Sequence, residues 1–204
     1  VPFYQSILRQ IAQCVMMPNL PDGIIYDLGC STGALVGALD EQGNSRDYVG
    51  IDASESMIQT AESKNWGERF KVQFEFGDII TLTALPNASV IVCNLVLQFI
   101  PLSIREARIK YLYEQLKPGG QLLVVEKIKQ SHSELQSLYN SNFYAHKKKN
   151  GYSEIEIERK ELSLTNVLWP QTNAYYLEQI NGAGFKVCDI FFKWYNFVGY
   201  LAIK

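Results

Sequence analysis

Histidine is nearly missing from this chain: His132 and His146 are the only two in 204 residues. A hydrolase triad needs a His downstream of its acid, usually late in the chain, and none follows the last apolar runs here. Cys14, Cys30, Cys93 and Cys188 are scattered, with no C-x-x-C pair and no His at ligand spacing. Neither a zinc site nor a disulfide framework is indicated, so no metal is expected and a reducing cytoplasm is the simplest compartment. Long apolar runs are lacking too; none approaches the ~18 residues of a membrane span, and no signal peptide is recognisable, although the chain begins at Val1 rather than Met. Nor does one sign of charge dominate. Lys and Arg number 19 against 21 Asp and Glu, and the net charge of −2 offers nucleic acid no global attraction. What remains is ordinary for a globular chain, 47% hydrophobic and 20% charged. One domain over 1–204, with its own core, is the expectation.

Within that plain background one stretch stands out, Ile24 to Leu35, IIYDLGCSTGAL. An apolar run, an Asp, a Gly-Cys-Ser-Thr-Gly turn and helix formers predict strand, tight turn and helix. Such a junction lies at the carboxyl edge of an α/β sheet, where backbone N–H groups meet a ligand. Gly29 and Gly33 allow the sharp turn and close approach, and Asp27 can accept a hydrogen bond there. A dinucleotide fingerprint fits poorly, since Ser31 occupies its middle Gly. The hydrolase elbow G-x-S-x-G matches literally but lacks its His. A nucleoside loop of an S-adenosylmethionine (SAM) enzyme wants a second acid after the next strand, and Asp52 supplies it, 25 residues on, one βαβ unit away. The plainest alternative is a turn whose glycines serve geometry alone.

The rest of the chain follows an alternating pattern. Phe3 to Met17 has helical spacing, with Tyr4 at its mouth, either core or overhanging a ligand. Tyr48 to Asp52 is a buried strand whose carboxylate suits ribose hydroxyls, and Ser54 caps a helix running to Trp66. Val72 to Phe76 alternates as a strand; Asp78 and Ile79 at its end suit an adenine amine and face, or a simple turn. Ser89 to Asn94 is the next strand, and Asn94 ends it at the active edge. Ile104 to Leu116 is a helix stopped by Lys117-Pro118-Gly119-Gly120, and Gln121 to Glu126 is a strand. A polar, aromatic helical stretch then interrupts the alternation as a cap insertion over about 131–168. Asn173 to Asn181 is a helix, and Phe185 to Phe192 with Tyr195 to Ile203 form a strand pair around Lys193-Trp194.

Four short motifs in this order, the glycine loop, GIDAS (Gly50–Ser54), GDI (Gly77–Ile79) and LKPGG (Leu116–Gly120), resemble the class I SAM-dependent methyltransferases. The resemblance implies a Rossmann-like α/β fold: a seven-stranded, mostly parallel sheet with an antiparallel last strand and helices on both faces. VPFYQSI (Val1–Ile7), NLVLQFI (Asn94–Ile100) and NGYSEIEIERKELSLTNVL (Asn150–Leu168) narrow it to the carboxy-S-adenosylmethionine synthases, which convert SAM and prephenate into carboxy-SAM for tRNA wobble-uridine modification. Carried over, the family's cofactor contacts fall on Tyr4, Gly29, Ser31, Asp52, Asp78, Ile79 and Asn94; their neighbours Asp27, Cys30, Gly33 and Ala53 complete the candidate set. The expected cofactor is SAM, as S-adenosylhomocysteine after transfer, with carboxy-SAM as the family's own product. A homodimer is implied in the same way.

One position departs from the family. Where the family carries an Arg that grips the added carboxylate, ungapped spacing puts Glu161. That change loses a bidentate pair and installs the wrong sign. Arg159 and Lys160 are the nearest replacements, but neighbouring helical positions point ~100° apart. Glu161, Arg159 and Tyr152 are therefore the substrate-side candidates, and the leading expectation is methyl transfer to an unidentified small-molecule or tRNA-pathway acceptor. Carboxy-SAM synthesis and non-catalytic SAM binding are the alternatives. His146, Glu126 and Glu161 are the candidate bases, none assigned. Lys147-Lys148-Lys149 is the only run suggestive of nucleic acid, and a solvated helix face explains it more simply.

Overall fold

A computed structural model describes residues 2–165 and 167–204; Val1 and Asn166, each within one of the resembling motifs, lie outside the described residues. Helix α1 (Tyr4–Val15) leads into β1 (Ile24–Leu28), and α2 (Ala34–Glu41), β2 (Tyr48–Asp52), α3 (Glu55–Glu62) and β3 (Val72–Phe76) follow. After β4 (Ala88–Asn94) come a 3₁₀ turn at Leu97–Phe99, α4 (Leu102–Gln115) and β5 (Leu116–Lys127). Helices α5 (Ser133–Lys149) and α6 (Glu154–Leu164) occupy the stretch read as a cap, before α7 (Asn173–Ala183), β6 (Val187–Trp194) and β7 (Phe197–Ile203).

The strands form one sheet in the order β3-β2-β1-β4-β5-β7-β6. β1 to β5 pair in parallel, and β7 inserts antiparallel to both β5 and β6. The order reverses direction between β1 and β4, which opens a crevice at the carboxyl ends of those strands. Both faces of the central strands are covered, so β4 is buried without interruption from Ala88 to Cys93 rather than in alternation. One core packs Ile7, Ile11, Leu35 and Leu39 of α1 and α2 on one face. The other packs Ile109, Leu112, Tyr176 and Ile180 of α4 and α7 on the opposite face.

Four local expectations are corrected. α3 stops at Glu62 rather than Trp66, because Asn65 accepts the Gly67 N–H and turns the chain, while Trp66 folds back to donate to the Ala61 carbonyl. The Ser54 side chain does not cap α3; its own N–H goes to Asp52 Oδ1 at 2.9 Å. Lys117 to Gly120 is not a gap before β5 but a bulge within it, since Leu116 pairs with Ala88 and Gln121 with Val90. The hairpin turns at Tyr195–Asn196, not Lys193–Trp194: Trp194 and Phe197 are opposite one another, and Tyr195 takes φ 44°, the left-handed state of a two-residue loop.

Candidate functional site

The cleft at the carboxyl edge of β1 to β4 has a volume of about 500 Å³. Seven of the eleven cofactor candidates line it: Gly29, Ser31, Asp52, Ala53, Asp78, Ile79 and Asn94. The glycine loop is held from below by β2, with Gly29 and Cys30 donating to the Ile51 carbonyl at 2.7 and 3.1 Å. Gly29 sits at φ 76°, and a Cβ there would lie 2.4 Å from Val96 Cγ2, so only glycine lets the loop pass the segment after β4. Asp52 secures the loop's other side. Its Oδ2 accepts the Ser31 N–H at 2.8 Å and its Oδ1 the Ser54 N–H. The carboxylate thus fixes the loop while its remaining lone pairs stay at the cleft. Asp78 Oδ1 similarly accepts the Ile80 N–H at 2.8 Å. Asn94 Oδ1 is a buried acceptor with no partner, placed on the lining, and a donor from a bound ligand is what such an atom needs.

The other four candidates lie beneath or beside the cleft rather than on its lining. Asp27 is buried and accepts the Tyr48 hydroxyl at 2.7 Å. Burial pushes its carboxyl up to about 7, against the Tyr48 hydrogen bond and with a push from Asp52. Tyr4 packs on the α1–α2 core, its phenol raised by burial and by Asp27. Cys30 is buried, its Sγ 2.9 Å from where a Cβ on Gly50 would stand, and burial, Asp27 and Asp52 push its thiol up. Gly33 turns the chain into α2 at φ 75°, against Phe74 and Trp66.

A second chamber of about 960 Å³ meets the cleft at Leu95 and Phe99, which line both. Phe3, Phe143, His146, Phe197 and Leu168 give it apolar and aromatic walls, with Lys127, Lys147, Lys160 and Glu161 among them. Glu161 accepts a hydrogen bond from the Tyr144 hydroxyl; burial first and then this carboxylate push the phenol up to about 12. Lys127 is drawn down from the usual lysine range by burial and by Lys147, and Glu161 opposes the shift. Lys147 is lowered by burial, with Glu161 raising it and Lys160 lowering it. Lys127 and Lys147 both stand over the Phe143 ring, at 5.1 and 4.3 Å from its centroid.

Tyr152 and Glu161 therefore lie on the chamber and Arg159 does not. Lys160 does as well, contrary to expectation, because the chamber is wide enough to border two neighbouring positions of α6. Lys147 is not a freely solvated lysine, and Lys148 pairs with Glu154 at 2.5 Å. Of the candidate bases, His146 and Glu161 face the chamber, while Glu126 is fully buried and lines neither cavity. The sequence reading missed Phe3, Phe143 and Lys127. Lys127 carried a signal: it ends β5 at the same sheet edge as Asn94. Among the described residues, no group of three or more His, Cys, Asp or Glu comes together as a metal site, and no helix is long and apolar enough to cross a membrane.

A family profile described as a methyltransferase domain matches residues 25–120. The structure of human N-acetylserotonin methyltransferase in complex with SAM superposes at a TM-score of 0.63 with 18% identity, covering 99% of this chain and 55% of that one. A SAM-dependent methyltransferase from Mesorhizobium loti gives 0.65 with 16% identity, covering 97% and 98%. The carboxy-S-adenosyl-L-methionine synthase of Methylococcus capsulatus is 37% identical over 208 residues, all of this chain and 86% of that protein. The Wolinella succinogenes protein of the same name is 35% identical, again over the whole chain and 86% of its length. The fold, the cleft at its switch point and these likenesses define a SAM-dependent transferase of the class I methyltransferase type. Within that class, the chain belongs to the carboxy-S-adenosyl-L-methionine synthase family.

Proposed function

We propose that this protein transfers the methyl group of SAM to a small anionic acceptor held in the chamber. SAM brings a carbon already activated by its sulfonium, so the chain's own residues have alignment and water exclusion to provide. Asp52 holds the ribose hydroxyls, Asp78 and Ile79 take the adenine, and Asn94 Oδ1 accepts from the methionine end. The observation that carries this reading is the chamber's position: it opens from the cleft across Leu95 and Phe99, with three lysines and aromatic walls beyond. Methyl transfer is favoured over carboxylation because Glu161, held by Tyr144, presents an acid where the resemblance implies a carboxylate-gripping Arg.

A second reading, carboxy-SAM synthesis from SAM and prephenate, is favoured by the full-length likeness to synthases and by Lys127, Lys147 and Lys160, which together supply the cationic charge that one Arg would give. On that reading the product serves tRNA wobble-uridine modification. On either, we place the protein in the cytoplasm, as a homodimer joined through the exposed Ile155 and Leu162 of α6. Titration of wild type and Glu161→Arg with SAM and with carboxy-SAM separates the two reactions. The substitution shifts the affinity ratio toward carboxy-SAM by roughly tenfold if Glu161 excludes it. An unchanged ratio removes that role from the position.

A further inference from the structure

The partition between cleft and chamber is a short irregular segment, Leu95 to Ile100, that leaves β4 after Asn94. Its first residue, Leu95, sits at φ 65°, a conformation side chains disfavour, and its only regular element is the single 3₁₀ turn at Leu97–Phe99. Such a backbone persists where its surroundings over-determine it. Here the surroundings are two fully buried ionisable side chains, Glu126 and Arg105. Glu126 of β5 accepts the Val96 and Leu97 N–H groups on Oε1 at 3.1 and 2.7 Å, and the Gln98 N–H on Oε2 at 3.1 Å. Arg105 of α4 donates from Nε and Nη2 to the Ile100 carbonyl at 3.1 and 2.7 Å, and from Nη1 to the Trp169 carbonyl at 3.0 Å. Trp169 in turn donates its N–H to the Gln98 carbonyl at 2.8 Å, which ties the chain leaving the cap to the same segment.

We propose that Glu126 is a positioning residue for the cofactor: by gathering three successive N–H groups, it fixes the segment that presents Asn94, Val96 and Phe99 to the cleft. The inference rests on reading that cleft as the SAM site. Glu126 lines neither cavity, so it acts only through the segment. Burial pushes its carboxyl up to about 8, while the three amide donors and Arg105 pull it back. The other titratable groups that sense it are Cys93 on β4, Tyr176 on α7 and Tyr200 on β7. An ionised carboxylate accepts N–H bonds more strongly than the acid does, so the grip tightens as pH rises through that value.

The test uses S-adenosylhomocysteine as probe, with calorimetric affinities and amide NMR shifts followed from pH 6.5 to 9.5. In wild type, the Val96, Leu97 and Gln98 amides titrate together and the affinity rises along the same curve. Glu126→Gln, whose NH₂ faces a donor instead of accepting from it, abolishes the common titration and binds roughly tenfold more weakly at the alkaline end. Ile180→Val, a change in the α7 core, leaves both behaviours intact. Amides that do not titrate together, or a Glu126→Gln protein that binds as wild type does at every pH, would overturn the proposal. Should Glu126→Gln fail to fold, the wild-type amide titration decides it alone. No binding by wild type at any pH refutes the reading of the cleft instead, and the amide titration still reports whether Glu126 grips the segment.

Discussion

Asp27, next to last in β1, and Asp52, last in β2, lie toward the same sheet edge, yet they do different work. Asp52 grips the glycine loop at the cleft, while Asp27 turns inward onto Tyr48. Burial raises Asp27 from 3.8 to about 7, so the folded protein keeps a proton the unfolded chain has lost. Stability from this group is full below about pH 4 and falls as pH rises to about 7, by on the order of 4 kcal/mol. Urea midpoints measured across that window decline more steeply in wild type than in Asp27→Asn, which keeps the decline that Glu126, raised from 4.5 to about 8, contributes over an overlapping range. Gly29→Ala forces a Cβ against Val96 at φ 76°. It should cost about 1–3 kcal/mol of stability and at least roughly tenfold in S-adenosylhomocysteine affinity, read by calorimetry. Asp52, Asp78 and Asn94 were legible because strand ends at a switch point face the crevice. The inward turn of Asp27 was not: β1 is covered on both faces, and no alternation reveals where its side chains go.

Helix α6 carries an acid-rich sequence that the core barely supports, with Ile157 its one buried residue among those described. Its start is secured by a capping box, the Ser153 hydroxyl accepting the Glu156 N–H at 3.3 Å and Glu156 Oε2 accepting the Ser153 N–H at 2.8 Å. Ser153→Ala should therefore cost about 1 kcal/mol locally. Hydrogen exchange is the measurement: α6 amides speed up while those of β4 keep their wild-type protection. The elements themselves were largely readable, because apolar spacing and glycine or proline punctuation act within a few residues. The α3 end, the β5 bulge and the hairpin turn were misplaced. None of the three is marked by apolar spacing: the α3 end follows an Asn65 side-chain acceptor, the β5 bulge the register of Leu116 against Ala88, and the hairpin turn the left-handed Tyr195 between Trp194 and Phe197.

In the molecule as a whole, the cofactor side is local in sequence, built from short motifs at the ends of β1 to β4. The chamber is not, for it joins Phe3 near the start, Lys127 at the end of β5 and the α5–α6 pair. That difference explains why the residues that line the cleft were legible before the fold and most of those that line the chamber were not. Only the packing of α5 and α6 against the sheet brings Lys127, Lys147 and Glu161 close enough for their charges to act on one another. The central claim is methyl transfer from SAM in the cleft to an anion in the chamber. Mass spectrometry of the nucleoside that co-purifies with native protein, followed by incubation with SAM and prephenate, tests it most directly. The account predicts SAM or S-adenosylhomocysteine in the protein and no conversion. Carboxy-SAM, carried from the cell or formed in the tube, contradicts it and assigns the carboxylate to the chamber's lysines in spite of Glu161.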